Sequence, residues 1–261
     1  MARVYCPPPS SHPPRKHPHR GFETITATIE GIIDHSDSHG NAGRYGGGDL
    51  QWMTAGAGVV HGEMFPLVED EKPNKNRFFQ IWLNLPKKDK FADPSFAMHW
   101  AEDVVKVTKP NGAKLTLFAG AYEDLQALPP CPQSWASDPH NDVGVYHITL
   151  PAGASIELPA STKSNSNRSL YAIEGGTYSI DGRTLDGKKL VELDASKSTT
   201  LSAPAAQDPS EMSVKELKQG IVKAGLAAQA TGLSEKHEVR RAPSVRRYVR
   251  CSASYSPLSN N

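Results

Sequence analysis

The chain has 261 residues and a formal net charge of +1, from 29 lysine and arginine residues against 28 aspartate and glutamate residues. This balance excludes the strong positive field that supports nonspecific binding to nucleic acid or to an anionic membrane. No apolar stretch is long enough for a membrane-spanning helix, and glycine and proline, at 21 residues each, favour turns over long helices. The start of the chain lacks the apolar run of a signal peptide, and Cys6, Cys131 and Cys251 are odd in number and far apart, so we predict an intracellular protein without a disulfide framework.

The first half of the chain predicts a series of short strands. Residues 1–16 are rich in proline and predict a disordered lead-in. Alternating apolar and polar residues from Phe22 to Ile29 predict the first long strand, which Gly31 ends. The segment from Ser36 to Gly48 is rich in turn residues and is predicted to be a loop. Further strands are predicted at residues 50–53, 59–64 and 78–85.

A second block of similar pattern begins near residue 103, and the proline-rich stretch from Leu128 to Asp142 is predicted to be the linker between two β-units. Strands are predicted at residues 104–107, 115–118, 146–150, 155–158, 169–174, 176–180 and 190–193. Short strands separated by turns at intervals of about 8–12 residues indicate a sandwich or barrel. We therefore predict an all-β chain with two β-units in tandem.

The last part of the chain, residues 207–261, has a different character. A capping box from Ser213 to Glu216, followed by apolar residues at helical spacing as far as Leu226, predicts one helix. The residues after Ser234 are polar and rich in arginine and predict a disordered, solvated tail. The alternative for this tail is a nuclear-targeting or nucleic-acid-binding patch.

Two short histidine motifs carry the chemistry. His17 and His19 flank a proline just before the strand predicted from Phe22, and His61 and Glu63 flank a glycine in another predicted strand. In extended backbone, residues i and i+2 point to the same face, so each motif presents two ligands together. If the two segments are neighbours in one barrel, three imidazoles and one carboxylate meet at one point. This donor set suits a divalent first-row metal and leaves coordination positions open for a substrate.

Each motif alone favours a solvated loop, and only the combination indicates a metal site. The other histidines show no such pairing and are predicted to be surface or core histidines without ligand roles. They are His12, His35, His39, His99, His140, His147 and His237. His35 and His39 are the strongest competitors, but a loop of serine, aspartate and glycine is a poor rigid scaffold for metal ligands.

Three blocks of sequence resemble the pirin family of the cupin superfamily. HPHRGFET at residues 17–24 is similar to the first cupin motif in its pirin form, and GDLQWMTAGAGVVHGEM at residues 48–64 resembles the second. FQIWLNLP at residues 79–86 is similar to the strand that follows in pirins. A weaker resemblance continues to about residue 204, whereas the short segment before His17 and the sequence after residue 204 depart from the family.

The resemblance implies a bicupin, that is, two double-stranded β-barrels in tandem. Residues 17–125 would form the N-terminal cupin with the metal site, and residues 140–206 a degenerate, incomplete C-terminal cupin. The family motifs assign His17, His19, His61 and Glu63 as ligands of one divalent metal, expected to be iron(II). The acidic residue of the general cupin motif corresponds to Glu23, which pirins do not use as a ligand.

The resemblance also implies two different functions, because pirins are described both as quercetin dioxygenases and as nuclear transcription cofactors. In the first, a flavonol and dioxygen are the substrates, and Glu63 acts as a general base. The apolar wall of the pocket is then predicted to comprise Phe22, Met53, Met64 and Trp82. In the second, an iron-binding redox sensor recognises nuclear protein partners without catalysis. A metal-free barrel remnant is the third alternative. Neither direct nucleic-acid binding nor membrane binding is expected, and the location is predicted to be nuclear, cytoplasmic or both.

Overall fold

The computed structural model describes residues 16–69, 71–163, 166–206 and 248–252. These ranges are built from β-strands, with two short 3-10 helices, Trp135–Ser137 and Pro139–Asn141. Within them no helix has the length and apolar character needed to cross a membrane. The all-β class predicted from the sequence is confirmed.

Eight strands form the N-terminal unit as two four-stranded antiparallel sheets. The first sheet has the order β1-β6-β3-β4 and consists of β1 (His17–His19), β6 (Val59–Met64), β3 (Ile32–Asp37) and β4 (Ala42–Gly46). The second sheet has the order β7-β2-β5-β8 and consists of β7 (Arg77–Asn84), β2 (Phe22–Glu30), β5 (Leu50–Thr54) and β8 (Ser95–His99).

The two sheets face each other and enclose the interior of the N-terminal unit. Ile33 and Tyr45 of the first sheet pack against Phe78 of the second, and His35 of the first sheet stacks on Phe96 of the second. Burying a large apolar side chain such as Phe78 stabilises the fold by about 1.5–3 kcal/mol. The result is a double-stranded barrel whose interior lies between β1, β6 and β3 on one side and β2, β5 and β7 on the other.

The C-terminal unit contains a six-stranded sheet, a four-stranded sheet and a two-stranded hairpin. The six-stranded sheet has the order β18-β15-β20-β13-β10-β9, with β9 (Val105–Thr108), β10 (Lys114–Ala119), β13 (Val145–Pro151), β15 (Arg168–Glu174), β18 (Lys189–Leu193) and β20 (Tyr248–Ser252). The four-stranded sheet has the order β14-β19-β16-β17, with β14 (Ser155–Leu158), β16 (Thr177–Ile180), β17 (Arg183–Asp186) and β19 (Thr199–Ser202). The hairpin is β11 (Ala121–Tyr122) with β12 (Leu125–Gln126).

The outer face of β2 and β5 joins the two units. Ile25 and Trp52, both almost fully buried, pack in one cluster with Phe118 and Val145 of the C-terminal unit. Strands β9 and β10 pair with each other, and β10 also pairs with β13, so residues 105–119 belong to the C-terminal sheet. The sequence grouped them with the N-terminal unit of residues 17–125. Alternation predicts that a segment is a strand, but it does not identify the strand's partner.

The proline-rich stretch at residues 128–142 packs onto the N-terminal unit. The buried carboxylate of Glu23 accepts hydrogen bonds from Trp52 Nε1 at 2.5 Å, Ser134 Oγ at 2.6 Å and Trp135 N at 2.8 Å. Burial raises the pKa of Glu23, although the three donors act in the opposite direction. The stretch predicted as a linker is therefore hydrogen-bonded to β2 through the buried Glu23.

The prediction of a loop from Ser36 to Gly48 is correct for the turns at residues 38–41 and 47–48, and wrong for the end of β3 and for all of β4. Strands β3 and β4 form an antiparallel hairpin there, with Ile33 opposite Tyr45 and a bidentate ion pair between Asp34 and Arg44. Ile33 and Tyr45 are fully buried under the opposite sheet. Burial against that sheet outweighs the turn preference of the glycines and serines, as tertiary contacts often do for β-propensity.

The prediction of a disordered tail is contradicted at residues 248–252. These residues form β20, whose backbone pairs with β13 on one side and β15 on the other. Without it, the facing edges of β13 and β15 would present unpaired N–H and C=O groups. The lead-in at residues 1–15 and the helix predicted from Ser213 to Leu226 lie outside the described residues.

Candidate metal centre

Strands β1 and β6 bring the two histidine motifs side by side. They pair antiparallel, with His17 opposite His61 and His19 opposite Val59. Because side chains alternate along a strand, His17 and His19 share one face of β1, and His61 shares a face of β6 with Glu63. The pairing thus places three imidazoles at one end of the barrel.

The Nε2 atoms of these imidazoles converge on one point. His17 Nε2 lies 3.1 Å from His19 Nε2 and 3.0 Å from His61 Nε2. Metal–nitrogen bonds of about 2.0–2.1 Å at right angles separate two ligand nitrogens by about 3.0 Å. In a neutral imidazole each nitrogen is either a donor or an acceptor. The contacts of His17 Nε2 with His19 and with His61 therefore cannot both be hydrogen bonds, whereas a shared metal ion would account for both. The three side chains fit a divalent metal ion.

Burial keeps His61 and His19 in the neutral form that binds metals. His61 is 1% exposed, and burial, together with the nearby His19 and His17, lowers its pKa to about 3. Burial, followed by the charge of His17, also lowers the pKa of His19. Both rings therefore offer a lone pair at neutral pH without first losing a proton.

Glu63, the fourth predicted ligand, lies beside the three histidines. Its oxygens group with nitrogens of His35 and His61 within 4.8 Å, but they do not join the cluster of His17, His19 and His61 at that distance. Tyr45 Oη donates to Glu63 Oε1 at 3.3 Å, and Gln80 Nε2 donates to Oε2 at 3.4 Å. The structure thus brings three of the four predicted ligands together and directs the carboxylate of Glu63 toward Tyr45 and Gln80.

His35 was predicted to lie in a loop and to have no ligand role, but it lies next to the cluster. This residue lies in β3 rather than in a loop, is 3% exposed, and its Nδ1 lies 3.3 Å from Nδ1 of His61. Its Nε2 contacts Asp37 Oδ2 at 3.3 Å. His35 and Asp37 share the i, i+2 spacing of the two recognised motifs, and that spacing was the available signal. His39 is exposed and contacts the carbonyl oxygen of Gly58.

None of the remaining histidines in the described residues lies near the cluster of His17, His19 and His61 as a potential ligand, His35 apart. Among the described residues, His39, His99, His140 and His147 belong to no cluster of potential metal ligands. His12 and His237 lie outside the described residues.

An aromatic surface adjoins the histidine cluster. The ring of Phe22 lies 4.9 Å from that of His19 and 4.9 Å from that of Trp82, centre to centre. Trp82 is 57% exposed, and its Nε1 donates to Gln80 Oε1 at 3.0 Å. Two of the predicted wall residues, Phe22 and Trp82, therefore flank the cluster. Met64 is exposed, and Met53 is buried in a separate cluster with Phe96.

Comparison with known sequences finds one family and several relatives. A family model described as Pirin matches residues 10–83. The chain is 34% identical over 213 residues to the Pseudomonas aeruginosa protein named "Putative quercetin 2,3-dioxygenase", a match that covers 80% of this chain and 71% of that protein. It is 33% identical over 155 residues to a pirin-like protein of Caulobacter vibrioides, covering 59% of this chain and 52% of the relative, so it spans about half of that relative's length.

Solved structures share the fold. A crystal structure of quercetin 2,3-dioxygenase from Acinetobacter baumannii superposes with a TM-score of 0.67 at 23% identity, covering 98% of this chain and 72% of that one. A bacterial pirin from Escherichia coli in complex with nickel(II) superposes with a TM-score of 0.52 at 14% identity, covering 94% and 77% of the two chains. At these identities the likeness shows the fold alone, and it confirms the predicted bicupin class.

Proposed function

The chain belongs to the pirin family, as its motifs predicted, and on this premise we propose that it is a metal-dependent dioxygenase that acts on a flavonol such as quercetin. The convergence of three histidine Nε2 atoms, with separations of 3.0 and 3.1 Å from His17, carries this proposal. The name of the Pseudomonas aeruginosa relative supports the substrate class.

His17, His19 and His61 would hold the metal, for which we propose iron(II). A redox-active divalent ion at this point supplies Lewis acidity and a shared binding place for an aromatic hydroxyl and dioxygen. Nickel(II) is the alternative to be tested, because a pirin of the same fold was crystallised with it. Three protein ligands leave positions free for the substrate, as in other catalytic metal sites.

Glu63 is the general base in this proposal. Its carboxylate lies beside the histidines, and the hydrogen bonds from Tyr45 and Gln80 hold both of its oxygens in place. A flavonol hydroxyl that reaches the cluster would give its proton to Glu63 Oε2, the oxygen on the Gln80 side. The buried Tyr45 hydroxyl stays protonated as a donor to Oε1, since burial and the adjacent Glu63 charge raise its pKa.

The aromatic surface would orient the substrate. Phe22 and Trp82 stand with their rings tilted by 36° to each other next to His19, and more than half of the Trp82 side chain is exposed. A flat polyphenol can stack on such a surface while one of its hydroxyls points to the histidine cluster. Gln80 fixes the indole by accepting from its Nε1.

We propose an intracellular location, cytoplasmic or nuclear. Among the described residues, Cys131 is a free, buried thiol, which suits a reducing compartment.

The test is turnover by defined metal forms of the purified full-length protein. Protein stripped with a chelator and reloaded with iron(II) should consume dioxygen and quercetin together, and the stripped protein should not. Reloading with nickel(II) tests the metal. Turnover by the stripped protein would refute the proposal, whereas tight metal binding without any flavonol turnover would favour the regulatory alternative predicted from the sequence.

A further inference from the structure

A line of polar side chains runs from His61 into the barrel wall. His61 directs Nε2 toward His17 at 3.0 Å and Nδ1 toward Nδ1 of His35 at 3.3 Å. His35 in turn directs Nε2 toward Oδ2 of Asp37 at 3.3 Å. The side chains of His35 and Asp37 are 0% and 1% exposed. These two residues are therefore buried behind the cluster and do not face solvent.

Asp37 is held as a fixed acceptor. Its Oδ1 accepts from the backbone N–H groups of His39 at 2.9 Å and Asn41 at 3.0 Å, and its Oδ2 accepts from Asn41 Nδ2 at 2.9 Å. Burial alone would raise the pKa of Asp37, but these hydrogen bonds together lower it. The far end of the line is thus a carboxylate with little freedom to turn.

A carboxylate at one end determines the tautomer of both rings. An ionised carboxylate only accepts hydrogen bonds, so His35 carries its proton on Nε2 and has a lone pair on Nδ1. That lone pair accepts from Nδ1–H of His61, which leaves the lone pair of His61 on Nε2. Nε2 is the nitrogen that faces His17 and His19.

The line is also rigid. His35 stacks on Phe96 of the opposite sheet with ring centres 5.0 Å apart and planes 26° from parallel. His35 and Asp37 both belong to β3, which pairs directly with β6, and His61 lies opposite Asp37 in this pairing. The donor and acceptor atoms are therefore set by the same sheet that positions the ligand.

We propose that His35 and Asp37 are positioning residues that fix the tautomer and the ring orientation of His61, so that its Nε2 is ready to bind the metal. The inference rests on the metal binding in the proposed function. Hydrogen bonds to the outer nitrogen of a histidine ligand orient the ring and raise its basicity, and their loss usually costs about 10–100-fold in metal affinity. No sequence motif assigned a role to either residue.

A direct ligand role for His35 is the competing explanation, because His35, His61 and Glu63 also lie within 4.8 Å of one another. The two explanations differ in what His35→Asn does. The asparagine side-chain oxygen can occupy roughly the place of Nδ1 and accept from His61, but it is a poor substitute for an imidazole ligand. A positioning role therefore predicts partial rescue, and a ligand role does not.

The experiment compares wild type with His35→Phe, His35→Asn and Asp37→Asn, with His140→Asn as the control because His140 is exposed and outside the cluster. Long-range ¹H–¹⁵N spectra of the metal-free proteins report the tautomer of each histidine, and chelator competition reports iron(II) affinity. Wild type and His140→Asn should show the proton of His61 on Nδ1. His35→Phe should lose this preference and about 10–100-fold in affinity, and His35→Asn should recover most of both.

Asp37→Asn provides a test that does not depend on His35→Phe folding. The new amide presents N–H groups to His35 Nε2, which must then accept. The proton of His35 should therefore move to Nδ1, and the proton of His61 to Nε2. An unchanged His61 tautomer in Asp37→Asn and His35→Phe would overturn the inference, and so would equal affinity loss in His35→Phe and His35→Asn. Wild type that binds no metal would instead refute the proposed function, and the spectra of the metal-free proteins would still decide the tautomer.

Discussion

His17 stands directly opposite His61 across the β1–β6 pair, and their Nε2 atoms lie 3.0 Å apart. The two residues are 44 positions apart in the chain, so their meeting depends on strand pairing and not on local sequence. His19 joins them because it shares the face of His17 on β1. This one register therefore creates the candidate metal centre.

Removing two of the three convergent imidazoles should abolish metal binding. We expect His17→Ala combined with His19→Ala to weaken iron(II) binding by more than about 100-fold, since losing even an outer hydrogen-bond partner costs about 10–100-fold. Chelator competition and metal content after purification measure this. His140→Ala is the matched control, and metal content in the double variant equal to that of wild type would contradict the site.

Neutralising Glu63 should separate catalysis from metal binding. We expect Glu63→Gln to lower kcat for quercetin by about 10²–10⁴-fold, the usual contribution of a general base, while the bound metal remains. The reason is that Glu63 lies outside the cluster of three histidines and is held by Tyr45 and Gln80. Metal analysis and steady-state kinetics on the same samples check this, with the exposed Glu69→Gln as control. Loss of metal together with activity would identify Glu63 as a ligand instead.

Truncating Trp82 should weaken substrate binding more than turnover. We expect Trp82→Ala to raise KM for quercetin by up to about tenfold, in line with the stacking energy of an aromatic pair, with a smaller change in kcat. Tyr171→Ala removes a similarly exposed aromatic side chain from the C-terminal unit and should leave both constants unchanged. An unaltered KM in Trp82→Ala would show that the substrate does not use this surface.

Glu23, which binds Ser134 and Trp135 of the stretch at residues 128–142, should contribute to the stability of the fold in a pH-dependent way. Glu23→Gln places an amide N–H₂ among donors from Trp52, Ser134 and Trp135, so we expect a loss of about 1–3 kcal/mol in the free energy of unfolding.

The pH dependence follows from the raised pKa of Glu23. Between the ordinary carboxyl pKa of the unfolded chain and the higher pKa in the folded protein, Glu23 is protonated mainly in the folded state. The stability that this protonation contributes therefore falls as pH rises through that interval. Urea titrations of wild type and Glu23→Gln across this interval should show the fall in wild type only. A pH-independent difference between the two proteins would contradict the prediction.

The turn between β5 and β6 should tolerate no side chain at Gly56. Gly56 has φ +45, and a Cβ there would lie 2.0 Å from the carbonyl oxygen of Ala92. We expect Gly56→Ala to cost at least about 2 kcal/mol, from backbone strain plus the clash. Gly47→Ala is the matched control, because Gly47 has φ +57 but open space around its Cβ position. Equal midpoints of thermal unfolding for the two variants would show that the clash relaxes without cost.

Much of the fold could be predicted from alternation alone. The predicted strand at residues 59–64 coincides with β6, and the strand predicted from Phe22 begins at the first residue of β2. In β6 the buried Val59 and His61 alternate with the exposed Val60, as the pleat requires. In β2 both faces are buried from Glu23 to Thr28, and the alternation there is one of apolar and polar side chains, not of buried and exposed ones. Alternation failed for β3, where the buried positions include His35 and the surrounding residues favour turns.

At the candidate centre, the two-residue period of an extended chain was enough to predict that His17 shares a face with His19, and His61 with Glu63. Three other relationships are visible only in the folded chain: β1 pairs with β6, Glu63 turns toward Tyr45 and Gln80, and His35 reaches Nδ1 of His61. These relationships depend on the partner and register of each strand. Partner and register are set by long-range burial and backbone pairing, which a local pattern of residues does not contain.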